Sequence, residues 1–157
     1  MGLVIFIAVR FLLIILCFIT FNNVYSQITI PAMASQYAKT IDSAITLVQK
    51  TDIEVYNRLD SVCDGVDLWL GSFSSCSDKI IYISRNDVLL GVQNVAAVLV
   101  HESKHLWIWK QQIKLEIEQE EAMCYKYELE FLNKVPNCSW ELKKHAINFI
   151  IEFGSPK

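Results

Sequence analysis

The residues best suited to chemistry are His101-Glu102-Ser103-Lys104-His105, in a chain of 157 residues that holds three histidines. On an α-helix, positions i and i+4 lie one turn apart on the same face, so both imidazoles reach one metal ion. Glu102 then projects beside that ion, where its carboxylate can take a proton from an activated water. Zinc suits these donors, because it accepts imidazole nitrogen and carboxylate oxygen in a tetrahedral shell and keeps one position for water. It lowers the pKa of that water towards ~7 and polarises a carbonyl, so hydrolysis is the chemistry to expect. The competing reading is a solvated helix face on which Glu102, Lys104 and His105 are ordinary surface residues. Lys104 favours it slightly, since such helices usually carry an uncharged residue there.

A helix must hold this pentapeptide, and the flanking runs Val98-Leu99-Val100 and Leu106-Trp107-Ile108-Trp109 support one over about 92–110. Two further helices are expected over about 113–134 and 139–153, with Pro136 breaking one from the other. Upstream, residues 36–49 show a helical apolar period, and Thr51-Asp52-Ile53-Glu54 fits a capping box that starts another helix towards 62. Alternation over 66–70 and the run Ile80-Ile81-Tyr82-Ile83 within 79–84 read as short strands. The expected fold class is α+β, helix-dominated, with a small sheet ahead of the histidine helix. Trp69, Trp107, Trp109 and Trp140 are expected to pack the core.

Composition narrows the class further. Residues 1–26 are strongly apolar, with Arg10 their single charge, and read as a secretory signal peptide cleaved after Ser26; an uncleaved membrane anchor is the alternative. Either places residues 27–157, the expected catalytic domain, outside the cytoplasm, secreted or membrane-anchored. Cys17 falls in the leader. Cys63, Cys76, Cys124 and Cys138 remain, an even number that permits two disulfides, with Cys63–Cys76 and Cys124–Cys138 preferred. The domain is acidic, with no basic run, which excludes an ordinary nucleic-acid binder.

From about residue 79 to 132 the chain resembles the zincin metallopeptidases. Val98, His101, Glu102, His105 and Trp107 map onto the family's helix consensus, and Lys104 departs from it. The resemblance implies a zinc-dependent peptidase acting on a peptide or protein substrate, with Glu102 as general base and His101 and His105 on zinc. It also implies that the strand over 79–84 lies at the edge of the cleft and pairs with an extended substrate. A metzincin is excluded, because Ile108 and Gln111 stand where that subclass needs glycine and histidine. A gluzincin draws its third ligand from the next helix, where Glu118-Gln119-Glu120-Glu121-Ala122 offers three glutamates. Helical spacing turns Glu120 away from the apolar stripe and leaves Glu118 and Glu121. Glu121, followed by alanine as in the gluzincin ligand helix, is preferred, with Glu118 second. His145, Tyr82 and Tyr125 are candidates to stabilise an oxyanion, though a surface position for His145 is the simpler expectation. Two other functions stay open: a non-catalytic zinc-binding protein, and a membrane-anchored helical module with an accidental motif.

Overall fold

The computed structural model describes residues 28–30 and 37–154. The expected leader, 1–26, lies outside the described residues, as does the start of the first expected helix at Gln36. Among the described residues no helix is long and apolar enough to cross a membrane.

Among the described residues, six helices and one small sheet make an α+β fold dominated by helix. In chain order they are α1 (Ala38–Thr51), α2 (Ile53–Val62), β1 (Gly65–Trp69), β2 (Phe73–Ser75), β3 (Ile80–Ser84), α3 (Arg85–Leu89), α4 (Val92–Lys110), α5 (Ile117–Lys134) and α6 (Trp140–Gly154). The start of α2 differs from the expected capping box. Thr51 still belongs to α1, and Asp52 is the N-cap, accepting from the backbone N–H groups of Glu54 and Val55. An aspartate oxygen meets those orphan donors as well as a threonine hydroxyl does.

The sheet order is β1-β3-β2, with β1 parallel and β2 antiparallel to β3. This corrects the edge-strand assignment. The strand expected at the edge, β3, is central and hydrogen-bonded on both sides. β2, which sequence patterning missed, is an edge. It has three residues, all at least partly exposed, too few to show an alternation.

α4 is the axis of the molecule. It packs against α1, α2, α5, β2 and β3, and its buried residues face every direction. Gly91 precedes it with φ 101°, a left-handed backbone that lets the chain turn directly from α3 into α4. The core is aliphatic, built on Ile41, Leu59, Ile81, Ile83, Leu99 and Leu106, with Phe131 the largest side chain fully inside. Three of the tryptophans expected there are instead on the surface: Trp69, Trp109 and Trp140 are each more than half exposed. Apart from Phe131, the largest fully buried side chains are aliphatic, and these three indoles lie outside that packing.

The four cysteines of the domain are free thiols. Cys63 is buried and donates to the Gly65 carbonyl at 3.1 Å, so its S–H is satisfied inside the core. Cys124 is buried in α5, and Cys138 lies four residues beyond the end of that helix. All four being free, neither expected pairing is formed.

Candidate metal centre

His101, Glu102 and Lys104 lie in the middle of α4 and are each more than nine-tenths buried, while His105 is half-buried. That removes the solvated-face reading. The Nε2 atoms of His101 and His105 stand 3.2 Å apart. Glu121, from α5, spans the pair, with one carboxylate oxygen 3.5 Å from His101 Nε2 and the other 3.5 Å from His105 Nε2. Glu118 occupies the first turn of α5 and is half-buried.

The opposite ring nitrogens are also held. His101 Nδ1 lies 3.1 Å from Glu128 Oε2, and His105 Nδ1 lies 2.7 Å from Glu120 Oε1. Glu120 was expected to point away, and this corrects it. Apolar residues do not mark the inner face of this helix near its start, where Ile117 is three-quarters exposed. The face that α5 turns to α4 runs instead through Glu121, Tyr125, Glu128 and Leu132, at spacings of four, three and four. Glu120 borders that face near its start. Glu128 escaped sequence reading altogether, although its place seven residues after Glu121 puts it on the same face.

These contacts set the electrostatics. Burial pulls the His101 pKa down, but hydrogen bonds that the ring donates to Glu121 and Glu128, with the Glu102 and Glu128 charges, outweigh it and push the ring up to about 9. Burial pushes the Glu102 carboxyl up, and His101, His105 and a hydrogen bond from Ser74 of β2 oppose that rise. Burial and the charges of Glu121, Glu120 and Glu102 push the Cys124 thiol far up.

The donor set fits a metal ion on chemical grounds. Each Nδ1 faces a carboxylate, which fixes the tautomer with its proton on Nδ1. In the neutral rings both Nε2 lone pairs then point at each other and at the two oxygens of Glu121, a repulsion that the raised His101 pKa relieves by an added proton. Four acceptors converging without a donor repel unless a cation or an added proton sits among them. Cys124 is a further soft donor here: its sulfur and one nitrogen from each histidine lie within 4.8 Å of one another.

A cavity of about 500 Å³ opens beside His101 and Glu102. Tyr125 and His145 line it; His145 is exposed, the surface position expected of it, and borders the cavity from there. The Tyr125 ring meets His101 edge-on at 4.3 Å and stacks on Phe149 at 4.7 Å, which docks α6 beside the site. Tyr82 lies on the sheet instead, stacked on Phe73 at 4.8 Å.

The chain matches no protein family, no curated protein and no solved structure. Its function is therefore argued from this geometry.

Lys104 has a separate role. Its ammonium lies 4.0 Å from the centre of the Trp107 ring and 5.4 Å from that of Tyr127, a cation–π contact that Arg58 shares. It borders another cavity, of about 300 Å³, that has no residue in common with the first.

Proposed function

We propose that the protein is a small zinc-dependent metallopeptidase of gluzincin type, with His101, His105 and Glu121 as ligands and Glu102 as general base. One observation carries this reading: two Nε2 atoms 3.2 Å apart, spanned by a carboxylate, with each Nδ1 anchored to a second carboxylate. Carboxylate–histidine pairs of this kind orient imidazoles for a metal and raise their basicity. Zinc bound there would supply Lewis acidity and a water of lowered pKa.

The chain's own residues account for the rest. Glu102 is buried beside the histidines and steadied by Ser74, placed to take a proton from the attacking water and return it to the leaving amine. β2 is an edge strand packed against α4, so an extended peptide can pair along its outer side. Tyr125 and His145 are among the donors that line the cavity next to His101 and are suited to steady charge on the carbonyl oxygen.

A second reading rests on Cys124. With Glu121 and Cys124 both engaged, the four ligands would close the site and make it structural. A peptide-library digest with and without chelator separates the two. The catalytic reading expects chelator-sensitive cleavage that Glu102→Gln lowers by roughly 10³-fold while zinc content stays at one per chain. Unchanged cleavage by Glu102→Gln, or no cleavage by zinc-loaded protein, refutes it.

A further inference from the structure

The cavity beside Glu102 has an uneven charge. Four carboxylates line it, those of Asp87, Glu102, Glu128 and Glu141, and among the described lining residues there is no lysine or arginine. Glu128 is engaged by His101, and Glu102 lies next to the histidine pair. Asp87 and Glu141 differ, because their hydrogen-bond partners are neutral. Asp87 accepts from the hydroxyls of Ser72 and Ser84 and from Asn94 Nδ2, and Glu141 accepts from Ser139 Oγ at 3.1 Å. Neither forms an ion pair among the described residues. Burial would raise the Asp87 carboxyl, but those three hydrogen bonds, with a smaller contribution from His145 across the cavity, outweigh it and hold the group below the usual range, so it is charged at neutral pH.

The walls between these carboxylates are apolar, with Val98 on α4 and Leu142 on α6. An apolar wall ending in an excess of negative charge, which His145 and Lys144 offset only through space, matches a side chain with a methylene stem and a cationic head. We propose that this cavity receives a lysine or arginine side chain of the substrate next to the scissile bond, with Asp87 and Glu141 selecting its charge. The proposal rests on the peptidase reading and adds a substrate class to it. A free N-terminal amine carries the same charge but no stem, so it leaves the walls unfilled.

The test uses acetylated, amidated alanine peptides with one variable residue on either side of the expected bond: arginine, lysine, norleucine or glutamate. An uncapped alanine peptide represents the free amine. Cleavage by the zinc-loaded protein is read by mass spectrometry, and binding of labelled peptides to the protein without added zinc is read by anisotropy. Arginine and lysine are expected to exceed norleucine by about tenfold in kcat/KM and to bind more tightly, with glutamate last. Glu141→Gln should lower the arginine-to-norleucine ratio roughly threefold, and Glu141→Lys should invert it. Glu141 is exposed, so these variants keep the test valid where Asp87→Asn disturbs the start of α3. Norleucine equal to arginine, or the uncapped alanine peptide preferred over both, overturns the inference and leaves the peptidase reading standing. No cleavage with a basic preference in binding overturns the peptidase reading alone, and no cleavage without that preference overturns both.

Discussion

Glu120 Oε1 lies 2.7 Å from His105 Nδ1, and Glu128 Oε2 lies 3.1 Å from His101 Nδ1, so α5 anchors each histidine from behind. Glu121, between them in sequence, faces the front of both rings. One helix thus supplies a candidate ligand and both orienting carboxylates. The rings cannot turn without breaking a charge-assisted hydrogen bond, and the Nε2 pair is set before any ion arrives.

Glu120→Gln tests this anchoring. The amide cannot hold the imidazole as a carboxylate does, and His105 loses orientation and basicity. Zinc affinity should fall about 10–100-fold with stoichiometry unchanged at saturation, as read by competition with a chromophoric chelator. Glu128→Gln should behave alike. Affinity within twofold of the parent for both variants would mean the carboxylates do not serve the metal.

Cys124 is separable from Glu121 by the same measurement. Glu121 has its two oxygens at the two Nε2 atoms, whereas Cys124 is fully buried one turn along α5. Glu121→Gln is expected to weaken zinc binding by roughly 10²-fold or more, and Cys124→Ala by less than about threefold. Cobalt in place of zinc should show no thiolate charge-transfer band. A strong band that Cys124→Ala abolishes would support the closed, structural site.

Lys104→Met addresses the departure from the usual helix pattern. The methionine retains the stem that packs on Trp107 and Tyr127 and removes a buried cation beside Arg58. Stability in urea should change by about 1 kcal/mol or less, because cation–π energy lost and desolvation relieved nearly cancel. Zinc affinity should not move. A clear loss of metal binding would place Lys104 in the site rather than behind it.

Much of this was legible in the residues, for identifiable reasons. α4 was found at both ends because a strong apolar run and an i, i+4 histidine pair lie well inside a long helix. Glu120 was misplaced because an apolar stripe predicts a helix face only where that face meets apolar core. Here α5 faces histidines, so polar residues mark its inner side. β2 was too short to show a period. The tryptophans misled because a large ring need not be buried when smaller branched side chains already fill the core. Lys104 looked like evidence for a solvated face because spacing cannot reveal that Trp107 and Tyr127 form a bed for its stem.

Asp52 offers a test of the fold away from the site. It caps α2 and takes a hydrogen bond from Lys134 at the end of α5, joining two helices that are 82 residues apart at that contact. Burial alone would raise its pKa, but Lys134 and the N–H groups of Val55 and Glu54 outweigh burial and hold it below its ordinary 3.8. The unfolded chain therefore binds this proton more readily than the folded one. The stabilisation is complete above the unfolded pKa, near 4, and is lost as pH falls through the folded value. Asp52→Ala should cost about 1 kcal/mol at pH 7 from the lost cap. Lys134→Met keeps the cap and removes the cation, so it should cost less than Asp52→Ala, because the ammonium is more than half exposed and water screens the pair. Urea unfolding from pH 7 down to about pH 2.5 checks both, with the gap between parent and Asp52→Ala narrowing in the acid limb as Asp52 is protonated. A gap of the same size at both ends of that range would show that the Asp52 charge contributes nothing.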